Sequence, residues 1–163
     1  MTEVGNLTKK LIEYFGDDVR RINHAMKVYA FAKGIAEIEG LCGDTLSVIE
    51  AAGLLHDVGI KVSERLYNSS AGHYQEQEGP EIARKIMQQV GLNGEIIERV
   101  CYIIGNHHTY SKIDGTDFQI LVEADFLVNI YEDEIGTEQV RIIAEKYFKT
   151  AAGKTMIEGM YLS

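Results

Sequence analysis

The sequence predicts an all-α protein, folded as a single-domain bundle of about seven helices. Apolar residues recur at helical spacing along most of the chain, whereas the alternating pattern typical of half-buried strands is scarce. The chain contains one proline, which leaves most helical segments uninterrupted. A length of 163 residues suits one domain with one core, so we expect residues 1–163 to form one unit.

The first half of the chain predicts three helices separated by glycine-containing breaks. A short amphipathic helix covers residues 3–15, and the sequence GDD that follows it can cap a second helix from about 18 to 38. A loop at 39–45 leads to a third helix, which ends near the adjacent His56 and Asp57. The apolar run before this pair would carry both ionisable side chains into the protein, where an unpaired charge is costly.

The second half begins with the longest irregular stretch, residues 59–79, in which helical periodicity is lost. We expect a loop there, and long loops in compact domains are often functional. Pro80 then suits the first position of a helix that extends to Val90, because proline is favoured at that position. Further helices are expected at about 94–106, 118–132 and 137–149, with a poorer one at 150–163.

Charge and composition exclude some classes of function. The net charge of −9 leaves no basic excess for binding a nucleic-acid polymer or an anionic membrane. Cys42 and Cys101 each lie beside apolar residues and are expected to be reduced thiols. Since the N-terminus lacks a signal-peptide pattern and no apolar run could span a bilayer, we expect a cytoplasmic protein. The sequence is compatible with a homo-oligomer.

The segment AAGKT at 151–155 echoes a phosphate-binding loop. That motif requires a glycine at the position of Phe148 and a strand before it, and the sequence has neither. We therefore exclude a phosphate-binding loop at this place.

Four ionisable residues lie on or near apolar helix faces. They are His24, His56, Asp57 and Asp125. Taken singly, a buried histidine is often a hydrogen-bonded core residue, and an aspartate can cap a neighbouring helix. One metal ion satisfies all four most economically, because imidazole and carboxylate suit Mn, Fe, Co, Ni or Zn, and carboxylates also suit Mg. Adjacent residues on a helix point about 100° apart. His56 and Asp57 can therefore share an ion only at a helix end, which Gly59 supplies.

These residues, in the order H…HD…D, resemble the signature of the HD-domain metal-dependent phosphohydrolases. The histidine of RRINHAMKVYAFA, the pair in LLHDVGI and the aspartate of LVEADFLVN carry the resemblance, which spans about residues 20–130. We expect the helices at 137–160 to pack on this region. The resemblance implies an all-helical fold, divalent-metal binding through the four residues, and hydrolysis of phosphate esters or anhydrides, mostly of nucleotides. Asp57 is then both a ligand and a candidate catalytic residue that orients the attacking water.

Some members of this family hold more than one metal through further histidines, and NHHTY at 106–110 resembles the paired histidines of those members. By this resemblance, His107 or His108 contacts a second ion or a substrate phosphate. Those members usually also carry a histidine four residues before a glycine. Here that position is Gln75, and His73 is offset by two. Because an amide is a poor metal ligand, we expect one ion rather than two.

A small, nucleotide-like phosphorylated substrate would be held by cations near the metal ligands. The candidates are Arg21, Lys61, Arg65 and Lys112. Lys61, just after the HD pair, is also a candidate catalytic residue. The alternative for each of these cations is a solvated surface charge. Three tyrosines, Tyr67, Tyr74 and Tyr110, could stack on a nucleobase or serve as loop anchors.

Two other classes of function stay open at this point. The same scaffold with two irons supports oxygenases, and by resemblance His73 and His107 could complete such a site. Alternatively, the protein is a non-catalytic module, in which the metal only holds the helices together or a nucleotide is sensed without turnover. Metal content, a phosphatase panel and the Asp57→Ala substitution would separate these cases.

Overall fold

The computed structural model describes residues 2–163, and within that range the fold is all-helical, as the sequence predicts. The α-helices are α1 (Glu3–Phe15), α2 (Val19–Ile38), α3 (Gly43–Leu55), α4 (Ile60–Tyr67), α5 (Gly72–Val90), α6 (Gly94–Ile104), α7 (Thr116–Glu132), α8 (Thr137–Tyr147) and α9 (Ala151–Ile157). A 3₁₀ turn covers Tyr110–Lys112, and a π-helical turn covers Glu158–Leu162. None of the helices within residues 2–163 is long and apolar enough to cross a membrane.

Helix α3 lies at the centre of the bundle. Helices α2, α6 and α7 pack against it, and every residue from 51 to 55 is buried. The surrounding helices turn their apolar faces to this centre, because removal of apolar surface from water is the main force that stabilises the fold. His56 and Asp57 follow α3 directly and are carried inside, and His56 is fully buried.

Residues 59–79, predicted as a loop, are mostly helical. They contain α4 and the beginning of α5, so Pro80 lies inside α5 rather than at its first position. The buried stripe of α5 starts with Gln75 and Gly79, neither of which is an apolar side chain. Apolar periodicity therefore begins only at Ala83, which explains why the first two turns of α5 were not predicted.

Gly59 permits α4 and α5 to meet backbone to backbone. A β-carbon there would lie 2.6 Å from the carbonyl oxygen of Gln75 and 2.8 Å from the nitrogen of Gly79. The sequence predicts that Gly59 ends the helix before it, but its backbone is right-handed helical and it stands directly before α4. Its role is close packing, which keeps Gln75 beside the cleft that contains Asp57.

A buried carboxylate joins the C-terminal helices to α7. Glu123 accepts hydrogen bonds from Gln119 Nε2 at 2.6 Å, from the backbone N–H groups of Lys149 and Thr150 at 3.1 Å, and from the Thr150 hydroxyl at 2.6 Å. Thr150 in turn caps α9 by accepting the N–H of Gly153 at 2.9 Å. A β-carbon on Gly153 would collide with the Glu123 carboxylate. The AAGKT segment therefore begins a helix that faces the protein's own carboxylate, in keeping with the exclusion of a phosphate-binding loop.

Candidate metal centre

Side chains from three parts of the fold meet at the buried end of α3. His24 comes from α2, His56 and Asp57 from the turn after α3, and Asp125 from α7. His24 Nε2 lies 3.2 Å from His56 Nε2 and 3.2 Å from Asp57 Oδ2. Asp125 Oδ1 lies 3.3 Å from His24 Nε2 and 3.4 Å from His56 Nε2. The structure therefore brings together all four residues that the sequence marks as candidate ligands.

This arrangement suits a divalent metal ion. Adjacent ligands at about 2.1 Å from an octahedral ion lie about 3 Å from one another. The distances from each histidine Nε2 to the other and to the two carboxylate oxygens are close to this value. Two imidazole nitrogens and two carboxylate oxygens form a donor set that Mn, Fe, Co, Ni and Zn accept. Four protein ligands on an octahedral ion leave coordination positions for water and for substrate. The cluster could thus hold a metal ion that still binds water and substrate.

Two further groups fix the orientation of the imidazoles. His24 Nδ1 lies 3.2 Å from Glu132 Oε1 and 3.3 Å from Glu132 Oε2. His56 Nδ1 lies 2.9 Å from the carbonyl oxygen of Gly53. Because both Nδ1 atoms face acceptors, each ring donates there and presents Nε2 to the centre. This is the orientation that a metal-binding histidine requires.

In the metal-free protein, charge holds this cluster together. Burial acts to lower the pKa of His24, but hydrogen bonds to Asp125 and Asp57 prevail and raise that pKa to about 9. Burial likewise opposes protonation of His56, and the same carboxylates raise its pKa well above the usual value. Burial favours the neutral form of both carboxyls, yet His56 holds the pKa of Asp57 and of Asp125 well below the usual range. At neutral pH, protons therefore occupy the nitrogens that a metal would use.

His107 supplies a second group of donors at the other oxygen of Asp57. The side chain of His107 is buried, its Nδ1 bonds to the carbonyl oxygen of Ile104 at 2.7 Å, and its Nε2 lies 3.5 Å from Asp57 Oδ1. Within residues 2–163 this Nε2 has no hydrogen-bond partner, which is unusual for a buried polar atom. Asp57, His107 and His108 could form a second metal-binding group. Asp57 thus directs one carboxylate oxygen towards each group.

His108 is oriented by an amide. Its Nε2 lies 2.9 Å from Gln75 Oε1, and Gln75 Nε2 donates to the carbonyl oxygen of Ser70 at 2.6 Å. The bond to Ser70 fixes the amide orientation, so His108 donates its Nε2–H and keeps a lone pair on Nδ1. Burial, with His107 alongside, lowers the pKa of His108 to about 4, so this ring is neutral at pH 7. Gln75 is therefore a partner for a histidine that can itself bind a metal.

A polar cleft of about 440 Å³ opens beside the cluster and is lined in part by His24, Asp57 and Asp125. Charged residues at its edge include Asp18, Arg20, Arg21, Glu132 and Asp133. Arg21, a predicted substrate contact, does line the cleft, but its guanidinium bonds to Asp18 at 2.9 Å and also to Glu64. Arg20 has no hydrogen-bond or ion-pair partner in the part of the chain that the structure describes.

Four residues predicted near the substrate or a second metal lie elsewhere. Lys61 donates to a backbone carbonyl of α1 at 2.8 Å and shares a separate surface depression with Arg65. Lys112 is exposed in the 3₁₀ turn, and His73 is exposed on α5; neither lines the cleft. Lys61 is therefore not in a position to be catalytic. The physical reason is that residues 60–67 form a helix, which carries Lys61 and Arg65 to the same outer face.

The three tyrosines considered for base stacking also lie outside the cleft lining. Tyr67 and Tyr74 stack on each other with ring centroids 4.1 Å apart. Tyr110 packs against Phe126 and Tyr147, with centroids 5.5 and 4.7 Å away. All three therefore serve as packing anchors, the alternative that the sequence left open for them.

Sequence reasoning missed several polar residues of the site, of which Glu132 and Arg20 matter most. Glu132 follows Asp125 by seven residues and Asn129 follows it by four, so all three lie on one face of α7. Asn129 donates its Nδ2–H to Asp125 Oδ1 at 3.1 Å. Arg20 precedes His24 by four residues, one turn away on α2. The signal for each is its spacing from a candidate ligand on the same helix.

Comparisons with known proteins agree with this geometry. A family model for the HD domain matches residues 21–147. The crystal structure of a predicted HD superfamily hydrolase from an uncultured Thermotogales bacterium is similar, with a TM-score of 0.65 and 25% sequence identity. The alignment covers 98% of this chain and 83% of that chain. No curated protein matches the chain significantly.

Proposed function

Because the chain belongs to the HD domain family, we propose that it is a divalent-metal-dependent phosphohydrolase acting on a nucleotide or another small phosphate ester or anhydride. The observation that carries this proposal is the meeting of two imidazole nitrogens and two carboxylate oxygens beside a polar cleft. Each nitrogen lies 3.2 to 3.4 Å from the other nitrogen and from both oxygens. The similar solved structure, described as a predicted HD superfamily hydrolase, also supports hydrolysis. A net charge of −9 favours a small substrate over a nucleic-acid polymer or a membrane surface.

The residues divide the chemical work in a simple way. The four converging residues would hold the metal ion, which supplies an acidified water molecule and polarises the phosphoryl group. Glu132 and the Gly53 carbonyl accept the Nδ1–H groups of the two histidines and so keep their Nε2 atoms available. Asp57 Oδ1, which is turned away from those histidines, orients the attacking water. Arg20 neutralises negative charge on the phosphoryl oxygens.

One ion at the four-residue cluster is the proposed stoichiometry. The buried Nε2 of His107 favours a second ion as the alternative, because it lies 3.5 Å from Asp57 Oδ1 without another partner in the described chain. Metal analysis of protein from metal-supplemented cultures separates the two. If one ion binds, His24→Ala removes it and His107→Ala leaves the content unchanged. If two bind, His107→Ala lowers the content from two equivalents to one.

Phosphate release tests the proposed reaction. Protein loaded with Mn, Co, Ni or Mg is incubated with a broad panel of nucleotides and other small phosphate esters. We expect release that a chelator abolishes and added metal restores. Asp125→Asn should lose both metal and activity, whereas Glu138→Gln, which changes an exposed acid on α8, should keep both. We would abandon the proposal if metal-loaded protein released no phosphate from any member of the panel.

A di-iron oxygenase is the second candidate function, and the unpartnered Nε2 of His107 is the observation that favours it. His73, the other histidine assigned to such a site by resemblance, is exposed and lies outside the cleft lining, which counts against this function. Iron near two equivalents per chain with an oxygen-dependent optical change would support it.

A non-catalytic module predicts instead that Asp57→Ala strongly lowers Tm while the wild type has no activity.

A further inference from the structure

Polar and charged side chains make up nearly all of the residues that line the cleft beside the metal ligands. Ile60 is the single hydrocarbon side chain among the described residues that line it, and no phenylalanine or tyrosine contributes. A nucleobase is usually held on an aromatic face or in an apolar slot, because its flat surface is poorly hydrated. Since the loop tyrosines also lie outside, the aromatic rings of the described lining are the imidazoles of His24 and His108, and both belong to groups that could hold a metal. The cleft therefore offers a base no phenyl or phenol face.

Charge in the cleft disfavours a substrate with several phosphates. Five carboxylates line it, against two arginines. Arg21 is already bonded to Asp18 and Glu64. Arg20, exposed and without an acidic partner in residues 2–163, is the cation free to meet a phosphate. Of the five carboxylates, Asp57 and Asp125 are candidate metal ligands, Asp18 pairs with Arg21, and Glu132 lies beside His24 and Lys27. One metal ion and one free arginine match a single phosphoryl group, whereas the further charges of a triphosphate would lack a second free cation in the described lining and would meet Asp133.

We propose, on the basis of the proposed function, that the substrate is a small phosphomonoester whose remaining part carries hydroxyl groups and no aromatic base. Arg20 binds the phosphoryl oxygens. Asp133 lines the same cleft, is exposed, and has no side-chain partner in the described chain, so its carboxylate accepts hydrogen bonds from substrate hydroxyls. The hydroxyl of Ser70, also on the cleft wall, is a further partner for them.

Ribose 5-phosphate and adenosine 5′-monophosphate form a matched pair of probes, because they share the sugar and the phosphoester and differ by the base. With the metal-loaded enzyme we expect kcat/KM to be about tenfold higher for ribose 5-phosphate, and lower again for adenosine triphosphate. Isothermal titration of the metal-free protein compares the affinities for the two monophosphates without turnover, and we expect the same order. A higher or equal kcat/KM for adenosine 5′-monophosphate would overturn the proposal.

Two pairs of variants test the assigned contacts. Asp133→Asn and Glu134→Gln each remove one negative charge at neighbouring exposed positions, but only Asp133 lines the cleft. If these carboxylates only repelled the anionic substrate, both substitutions would lower KM for ribose 5-phosphate. The proposal predicts instead that Asp133→Asn raises this KM about tenfold and that Glu134→Gln leaves it unchanged. Arg20→Ala should likewise raise KM about tenfold, and Arg65→Ala, outside the cleft, should not. Unchanged KM values in Asp133→Asn and Arg20→Ala would contradict both contacts.

Failure of this inference and failure of the proposed function give different results. A generic phosphomonoester, p-nitrophenyl phosphate, reports phosphohydrolase activity independently of the natural substrate. If this ester or adenosine 5′-monophosphate is hydrolysed and ribose 5-phosphate is not preferred, the substrate class is wrong and the reaction stands. If the metal-loaded protein hydrolyses no phosphate ester at all, both proposals are wrong.

Discussion

Replacing Glu132 with glutamine tests how a residue outside the ligand set controls metal affinity. Glu132 faces His24 Nδ1 at 3.2 and 3.3 Å, and its side chain is only 14% exposed, so solvent screens this contact weakly. Lys27 Nζ lies 3.6 Å from the same carboxylate and holds it in place. The negative charge of Glu132 makes the His24 imidazole a stronger metal ligand. Glutamine keeps an acceptor oxygen at this position but removes that charge.

The expected loss follows from the number of interactions that each substitution removes. Removal of a group that orients a metal-binding histidine typically weakens metal affinity about 10- to 100-fold. This range corresponds to about 1.4–2.7 kcal/mol. We expect Glu132→Gln near the tenfold end, because the acceptor oxygen is retained. Glu132→Ala should lie near the hundredfold end, because His24 Nδ1 then loses both the charge and the acceptor.

Dissociation constants for Mn²⁺ or Co²⁺ can be measured by competition with a chromophoric chelator, and the visible spectrum of the Co²⁺ form reports ligand geometry. Glu134→Gln is the matched control, because it removes the same charge two positions away and outside the cleft lining. It should bind metal as the wild type does. Folded Glu132→Gln and Glu132→Ala proteins with wild-type affinity and an unaltered Co²⁺ spectrum would refute the reasoning.

Four further outcomes concern stability, its dependence on pH, and the dependence of metal affinity on pH. Glu123→Gln should destabilise the fold by about 3 kcal/mol, or about 6–12 °C in Tm, because its amide NH₂ would face buried donors. Glu138→Gln, at an exposed position, should leave Tm unchanged. Gly59→Ala should cost about 2 kcal/mol or more in urea unfolding, because its β-carbon meets the backbone of α5, whereas Gly94→Ala has open space. In the metal-free protein, the pKa of His24 is raised from the ordinary 6.5 to about 9, so its protonation stabilises the folded state. This stabilisation is complete below pH 6.5 and is lost as pH rises through about 9, so Tm should fall across that range. Metal affinity should rise across the same range, because fewer protons compete for the imidazoles.

Each of these outcomes has a clear contrary result. Equal Tm values for Glu123→Gln and Glu138→Gln would mean that the buried Glu123 carboxylate adds no stability. Equal urea midpoints for the two alanine variants would contradict the close approach of α4 and α5. A metal-free Tm that rises with pH, or a metal affinity independent of pH, would show that the cluster does not hold protons as described.

The helix class and the four residues that meet at the end of α3 could be predicted because their signals are local. Helices α1 and α2 begin and end within one residue of the predicted 3–15 and 18–38, since each has a continuous apolar stripe and a clear break after it. The all-α class is confirmed by the fold, and the HD resemblance is confirmed by the family match over 21–147. Each candidate ligand interrupts an apolar context, which is visible in the sequence before any contact is known.

The remaining features depend on contacts between distant segments. Whether Lys61 faces the cleft or solvent depends on how α4 packs on α5, and the sequence of α4 alone does not show this. Arg20 and Glu132 lie one and two turns from candidate ligands in the sequence, but only the packing of their helices shows that both line the cleft. In the sequence, Gln75 served only as an argument against a second metal ion. Its bond to His108 joins residues 33 positions apart, so only the fold reveals it.

The candidate metal ligands and the proposed substrate contacts are attached to parts of the fold that differ in local stability. His56 continues directly from the most buried helix and is itself fully buried, so its backbone amide should exchange with solvent deuterium only through large-scale opening. Arg20 and Asp133 are exposed at the ends of α2 and α7, where substitutions disturb little packing. If the proposed contacts are right, substitutions at Arg20 and Asp133 can change substrate preference in evolution without altering the candidate metal centre.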